Sequence, residues 1–182
     1  MPRLFTAVDI PEILTPVVAE LEAQLPSTHL KLVRADIAHI TLKFMGEVLE
    51  EELPHIIQAL SGVHMGRFEA TLKGVGAFPS AKKARVVWMG CEGEFAPLFE
   101  GIENALFSVG VEREKRQFHA HLTLARVKRL TGEDAALLES LIESHESTHF
   151  GEFEVNEFVL VQSTLTPEGP IYEELEHFPL EG

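Results

Sequence analysis

Two short segments of the sequence carry the same set of residues that can move protons and hold a phosphate. They read His39-Ile40-Thr41-Leu42 and His121-Leu122-Thr123-Leu124. Each is a histidine, an apolar residue, a threonine and an apolar residue. Although the chain has nine histidines, chance alone predicts only about 0.1 copies of this pattern. Two copies therefore indicate a functional pair.

Strand geometry predicts how each motif presents its side chains. Successive residues of a strand face opposite sides, so His39, Thr41 and Lys43 are expected on one face. Ile40, Leu42 and Phe44 are expected on the other face, in a core. In the second motif His121 and Thr123 share a face in the same way. For Lys43, a contact with the substrate phosphate and a position in solvent fit equally well.

A pair of such motifs suits in-line attack at phosphorus. One neutral imidazole can accept the proton of the nucleophile, while one imidazolium protonates the leaving oxygen. Histidine suits both tasks because its ordinary pKa lies near neutrality. The threonine hydroxyls can donate to phosphoryl oxygens and hold the in-line geometry. This chemistry predicts a bell-shaped pH–rate profile and calls for no metal and no cofactor.

Strand-like and helix-like segments alternate along the chain. The expected strands cover residues 3–9, 38–44, 68–75, 85–89, 118–127, 153–163 and 171–178. The expected helices cover residues 11–25, 50–60, 95–109 and 131–145, the last one starting with a capping box of Thr131 and Asp134. Residues 76–80 and 90–93 are expected to be turns.

This order predicts an α+β protein with two pseudo-symmetric lobes. Each lobe would pack a small, mainly antiparallel sheet on two helices, and the active-site cleft would lie between the lobes. Residues 1–182 would form one bilobal domain, with the lobe boundary near residues 80–92.

Composition and charge restrict the function further. Net charge is −14, which argues against a non-specific nucleic-acid coat, since such binding depends on Lys and Arg. The cations nevertheless cluster, at residues 82–85, 113–116 and 126–129. One cysteine, Cys91, excludes an internal disulfide, and no signal peptide or membrane segment is recognisable. A cytoplasmic protein is therefore expected, with Cys91 as an apolar packing residue, and a monomer is the default expectation.

The two motifs extend into longer signatures of a known family. Residues 39–47 and 118–126 resemble the two signatures of the 2H phosphoesterases. The most similar branch is the bacterial and archaeal RNA 2′,3′-cyclic phosphodiesterases, also called the 2′-5′ RNA ligase family. Residues 85–90 and 162–172 agree with that branch too, so the resemblance covers nearly the whole chain. One departure is Ala120, where the family often has proline.

The resemblance implies a bilobal fold with its active site between the lobes. It implies hydrolysis of a terminal RNA 2′,3′-cyclic phosphate to a 2′-phosphate, and reversible, ATP-independent joining of tRNA halves through a 2′-5′ linkage. Carried over by position, His39 and His121 are the catalytic pair. Thr41 and Thr123 bind the phosphate, and Arg126 is a further contact. The family suggests His39 as the acid and His121 as the base, an order that the residues alone leave open.

Other functions remain open. Within the superfamily, the substrate could be a small cyclic nucleotide, an ADP-ribose cyclic phosphate or a 2′-5′ oligonucleotide. His119 and His121 could supply two ligands of a metallohydrolase, although this leaves the His39 motif unexplained. A non-catalytic RNA-binding protein is a third alternative, but no aromatic residues interleave with the basic clusters. His119 itself is expected at the rim of the cleft.

Overall fold

The computed structural model describes residues 1–26 and 29–182. Within these residues, nine strands form one antiparallel sheet and four α-helices pack on it, which confirms the α+β class. The strands are β1 (Arg3–Asp9), β2 (Leu30–Leu32), β3 (His39–Glu47), β4 (Phe68–Phe78), β5 (Val86–Glu92), β6 (His121–Val127), β7 (His149–Val155), β8 (Glu157–Thr166) and β9 (Gly169–Pro179). The helices are α1 (Thr15–Glu22), α2 (Leu53–Ser61), α3 (Phe95–Phe107) and α4 (Gly132–Ser144). In the described part of the chain, none of them has the length and apolar character to cross a bilayer.

The sheet consists of two matching halves that meet at the motif strands. Its order is β7-β4-β5-β6-β3-β1-β8-β9, with β2 beside β6. Between β3 and β6 the described residues form one paired position, Ile40 with Leu122. Both of these side chains are fully buried. The two histidine motifs therefore lie side by side at the joint between the halves.

The helices tie the two halves together. α1 follows β1 but contacts β6, and α3 follows β5 but contacts β3. α2 and α4 stay with their own halves, where they contact β9 and β4. Each half is thus covered by two helices, as expected. The chain first adds β2 to the β6 half, beside β6, and then returns to form β3. It enters the β6 half again at β4 and returns to the β3 half at β8. The lobe boundary near residues 80–92 stays a prediction.

Several element ends differ from the expected ones. The first helix begins only at Thr15, after a 3₁₀ turn at Glu12–Leu14, with a proline in its first turn. The expected turns at 76–80 and 90–93 are partly strand, because β4 runs on to residue 78 and β5 to residue 92. The single strand expected at 153–163 is two strands, β7 and β8.

Two details of the expected local structure concern Thr131 and Cys91. Thr131 Oγ1 accepts the Asp134 N–H at 3.1 Å, which confirms the helix cap. The Asp134 carboxylate lies 3.1 Å from His29 Nδ1, and hydrogen bonds to His29 and to Thr131 lower the pKa of this carboxyl. Cys91 lies in β5 and packs against the core. Burial raises the pKa of its thiol to about 12, which suits a packing residue rather than a nucleophile.

A β-bulge in each motif strand interrupts the alternation of side chains. Against β1, Thr6 pairs with Lys43 and Ala7 with Thr41, so one extra residue sits between the two pairs. β6 has the same irregularity against β5, between the positions paired with Val87 and Trp88. An extra residue reverses the faces of all the side chains that follow it. Both strands therefore change face just after their His-x-Thr segment.

The bulge in β3 exchanges the expected positions of Lys43 and Phe44. Lys43 is only 5% exposed, and its Nζ lies 2.7 Å from Glu103 Oε1 and donates to the Glu112 carbonyl at 2.7 Å. Phe44 is 50% exposed, beneath the guanidinium of Arg3. The prediction that Lys43 shares the His39 face and contacts substrate is therefore wrong, as is the prediction of Phe44 in the core. Alternation fails here because the bulge cannot be seen in the sequence.

The buried ion pair generates a test of stability. Replacing one partner, as in Lys43→Met or Glu103→Leu, should lower the free energy of unfolding by about 3–5 kcal/mol, because the other charge is left buried and unpaired. The double variant should recover at least half of that loss, since no charge then remains in the core. Urea unfolding of the three variants and the wild type measures this. Additive losses in the double variant would contradict the prediction.

Candidate active site

His39 and His121 are anchored in the same way. His39 Nδ1 lies 3.1 Å from the Ile37 carbonyl oxygen, and His121 Nδ1 lies 2.7 Å from the His119 carbonyl oxygen. Since a carbonyl can only accept, each Nδ1 carries the hydrogen of the neutral ring. In both rings Nε2 is then the atom that can take up and release a proton. The carbonyl two residues earlier fixes the tautomer and restrains the ring.

The joint between β3 and β6 crosses the two motifs. An antiparallel register through the central pair sets His39 opposite Thr123, and Thr41 opposite His121. All four side chains are partly exposed, on the face opposite the buried central pair. Each histidine therefore lies beside the threonine of the other motif. The two imidazoles and the two threonine side chains therefore lie on one face of the sheet, across the same joint.

Aromatic rings hold the His39 imidazole from two sides. Phe5 of β1 stacks on it with ring centroids 4.8 Å apart and an interplanar angle of 23°. Tyr172 of β9 meets it edge-on at 5.2 Å. Phe5 belongs to a small apolar cluster with Ala7, Val159 and Val161, against which Tyr172 packs. This cluster fixes the ring and excludes water from one side of it.

The His121 imidazole has matching aromatic neighbours. The Phe78 ring lies edge-on to it at 5.2 Å, and the Trp88 ring lies 6.3 Å away. Trp88 can pack this closely on β4 because residue 76 is glycine, and a Cβ there would collide with the indole. His119 is exposed and lies 4.7 Å from Trp88, a position that fits the expected rim.

The sequence did not identify three of these aromatic residues as neighbours of the histidines. Phe5, Phe78 and Tyr172 are more than 30 positions away from the histidine that each contacts, so no local spacing relates them. One signal was present in β1. Both of its faces are apolar, with Leu4 and Val8 on one and Phe5 and Ala7 on the other. This pattern is typical of a strand that is covered on both sides.

Arg126 reaches the histidine face because of the bulge in β6. Strict alternation would place it opposite His121, five residues earlier. Instead it pairs with Val86, two residues before Trp88, on the face that holds the indole. Beside the larger effect of burial, its positive charge lowers the pKa of both His39 and His121. The charge of the guanidinium therefore influences both imidazoles. This is the position expected of a side chain that contacts a phosphate bound between the two rings.

Burial is the largest cause that lowers the pKa of both histidines. The anchoring carbonyls act in the opposite sense, and the Arg126 charge lowers both values again. For His121 the neighbouring His119 adds to the lowering. Both rings are therefore neutral in the free protein at neutral pH. A bound phosphate anion would offset Arg126 and favour the imidazolium form.

Two anchored imidazoles, two hydroxyls and a guanidinium around one cleft fit a phosphoesterase that works by paired acid and base catalysis. A family model described as LigT like Phosphoesterase matches residues 4–88 and 90–172. The chain belongs to this family. The 2H phosphoesterase resemblance, and the enzyme class that it implied, are thereby confirmed.

Relatives of known name match over nearly their full length. A protein of Archaeoglobus fulgidus named RNA 2′,3′-cyclic phosphodiesterase is 42% identical over 179 residues, which are 97% of this chain and 99% of the relative. A protein of the same name from Methanocaldococcus jannaschii is 38% identical over 94% of this chain and 96% of its own.

Solved structures show the same fold. TT0787 of Thermus thermophilus has a TM-score of 0.84 at 32% identity, covering 99% of this chain and 98% of its own. E. coli LigT complexed with 3′-AMP has a TM-score of 0.82 at 25% identity, covering 100% of both chains.

The electrostatics of the site can be tested by NMR. The imidazoles of His39 and His121 should titrate below the ordinary value of about 6.5, because burial and Arg126 disfavour their charged forms. Arg126→Gln should raise both values, whereas Arg126→Lys, which keeps the charge, should leave them closer to wild type. Following the ring ¹³Cε1 shifts with pH measures this. Unchanged titration in Arg126→Gln would show that Arg126 does not face the two rings.

Proposed function

We propose that the protein hydrolyses 2′,3′-cyclic phosphate ends of RNA to 2′-phosphates by metal-independent acid–base catalysis with His39 and His121. The observation that carries this proposal is the matched anchoring of the two rings across one strand joint. It leaves two Nε2 atoms to act on one phosphate. The names of the relatives from Archaeoglobus fulgidus and Methanocaldococcus jannaschii support the same substrate.

In this mechanism the two histidines act on opposite sides of the phosphorus. The base ring accepts a proton from water, and the water oxygen attacks phosphorus. The acid ring donates its proton to O3′ as the P–O3′ bond breaks, and the phosphate stays on O2′. We assign His39 as the acid and His121 as the base, following the family resemblance. Each proton transfer is typically worth about 10²–10⁴ in rate.

Thr41, Thr123 and Arg126 would hold the phosphate during attack. The hydroxyls lie on the histidine face, one from each half of the sheet, and can donate to the two non-bridging oxygens. Arg126 supplies the positive charge. Because both imidazoles are neutral in the free protein, binding of the anion would itself promote protonation of the acid ring. This couples formation of the active protonation state to the presence of substrate.

The same site can join RNA ends if an alcohol replaces water. A 5′-hydroxyl that attacks the cyclic phosphate would break the same P–O3′ bond and leave a 2′-5′ linkage. No ATP is consumed, because the strained cyclic ester supplies the driving force. We propose that tRNA halves are substrates of this second reaction. The reaction is reversed when the neighbouring 3′-hydroxyl attacks the phosphorus of the 2′-5′ linkage and re-forms the cyclic phosphate.

The competing metallohydrolase would need further ligands beside His119 and His121. Their ring centroids are 5.8 Å apart, and no group of three or more His, Cys, Asp or Glu suited to a metal is found among residues 1–26 and 29–182. Activity in EDTA distinguishes the two mechanisms. A phosphodiesterase acting on another small cyclic phosphate or on 2′-5′ oligonucleotides remains the alternative substrate class.

We further propose that the protein acts as a monomer in the cytoplasm. All the proposed groups come from one chain, so no second copy is needed to complete the site. The single cysteine supports a reducing compartment.

Removal of either imidazole tests the catalytic pair. His39→Ala and His121→Ala should each lower kcat at least about 100-fold, the low end of one acid–base contribution. Hydrolysis of 2′,3′-cyclic AMP and of a short RNA with a cyclic phosphate end, both in EDTA, is the measurement. The RNA product should carry a 2′-phosphate.

His119→Ala is the matched control, since this ring is also in the cleft but has no assigned proton transfer. It should keep activity within about tenfold of wild type. A requirement for added metal, or full activity in either main variant, would refute the two-histidine mechanism.

The threonine hydroxyls allow a finer test. Thr41→Val and Thr123→Val keep the shape and remove the donor, so each should lower kcat by about 10²-fold, as loss of one preorganised donor does. Thr→Ser at either position should restore most of the rate because it restores the hydroxyl. Steady-state kinetics on 2′,3′-cyclic AMP decide this. If the valine variants change only stability, the hydroxyls do not contact the reacting phosphate.

A further inference from the structure

The C-terminal end of β6 opens into a strongly basic groove. This groove, here called the β6-end groove, has a volume of about 630 Å³. It is lined by Lys82, Lys83, Ala84, Arg85, Val127, Lys128, Arg129 and Leu130. Five of these residues are cations, all exposed, and the described lining contains no carboxylate. This concentration stands out in a chain with 15 Lys and Arg against 29 Asp and Glu.

The corresponding end of β3 has a different charge. A cavity of about 580 Å³ lies there, and its cations are Lys43, Arg113, Lys115 and Arg116. Four glutamates line the same cavity: Glu47, Glu52, Glu112 and Glu114. β3 and β6 occupy equivalent places in the two halves of the sheet, so the two cavities lie at corresponding ends of two equivalent strands. Of the two, only the β6-end groove is lined by cations without carboxylates among the residues that the structure describes.

Positive side chains continue from the catalytic residues to the β6-end groove. Arg126 lies on the histidine face and pairs with Lys31 of β2, so these two side chains share that face. Lys128 follows Arg126 by two residues. Along β6, the groove begins about 20 Å from His121, at about 3.3 Å per residue. A strand of a few nucleotides can span this distance.

An exposed aromatic ring lies where the groove meets the catalytic site. Phe78 is 37% exposed, and its ring lies 5.2 Å from that of His121. Its carbonyl oxygen accepts the N–H of Arg85, a groove residue, at 2.8 Å. The sequence showed no aromatic residue among the basic clusters, but the fold places Phe78 between them and His121. Aromatic rings beside backbone-binding cations are typical of single-stranded nucleic-acid sites.

We propose that the β6-end groove binds the phosphate backbone of a single RNA strand on the 5′ side of its terminal cyclic phosphate. This rests on the proposed function and identifies the residues that would hold the RNA upstream of its reacting end. The groove cations form no ion pair with a carboxylate in the described part of the chain. They are therefore available to neutralise phosphates. The β3 cavity is less favourable for a polyanion, because four glutamates line it beside its cations.

The test compares two double variants that remove the same charge from the two cavities. Lys82→Ala/Lys83→Ala changes the β6-end groove, and Lys115→Ala/Arg116→Ala changes the β3 end. Neither touches a proposed catalytic or phosphate-binding residue. The substrates are 2′,3′-cyclic AMP and an RNA of about ten nucleotides with a cyclic phosphate end, which matches the length that single-strand sites cover.

For the RNA, the Lys82/Lys83 variant should raise KM about tenfold and flatten the salt dependence of binding by about 0.7 in the logarithmic slope per lost phosphate contact. Its kcat/KM for 2′,3′-cyclic AMP should stay within about twofold of wild type, because a mononucleotide has no upstream phosphate. The Lys115/Arg116 variant should change neither substrate by more than about twofold.

A separate binding measurement distinguishes an error in this inference from an error in the proposed function. Fluorescence anisotropy measures the affinity of each variant for the same RNA ending in a 2′-phosphate. If wild type turns over neither substrate, the proposed function is wrong, yet selective loss of RNA affinity in the Lys82/Lys83 variant still supports the groove. Equal affinity in wild type and both variants, or equal losses in the two variants, would overturn the groove assignment whatever the turnover.

Discussion

The pairing of β3 with β6 is the constraint on which the site depends. In the described structure the two halves of the sheet meet through Ile40 and Leu122, both fully buried. A slip of either strand by one residue would turn its histidine toward the helices and expose an apolar side chain. Hydrophobic burial and catalytic geometry are thus specified by the same contact. The joint sets each histidine beside the other motif's threonine, directly on the paired strands.

A buried ion pair extends this constraint to the segment that leads into β6. Lys43 of β3 lies against Glu103 of α3 and donates to the Glu112 carbonyl. Glu103 in turn accepts the Glu114 N–H at 2.9 Å. Burying two charges gives little net stability, but it fixes helix, strand and connection together. We interpret the ion pair as an interaction that holds the segment before His121 in a fixed position relative to β3, next to the joint between the two halves.

The sequence predicted those features that depend on neighbouring residues. The His-x-Thr segments, β1 at residues 3–9 and the Thr131 cap could all be identified, since alternation and capping are local. Lys43, Phe44 and the face of Arg126 could not be predicted correctly from alternation, because a bulge is set by the partner strand. The aromatic neighbours Phe5, Phe78 and Tyr172 were missed for a related reason, since only the fold brings them to the histidines. The proposed catalytic pair was therefore accessible from sequence, but its surroundings required the fold.

An acidic protein can still hold an anion because electrostatic effects in water are short-ranged. At physiological ionic strength exposed charges are screened beyond about 8 Å, so the net charge of −14 matters less than the groups near the cleft. Burial and the nearby Arg126 charge lower the pKa of both imidazoles, and in the proposed mechanism a bound phosphate would favour protonation of one of them. The cations of the β6-end groove have no carboxylate among the lining residues that the structure describes. A polyanion would therefore meet an unopposed positive surface there, even on a protein whose net charge is strongly negative.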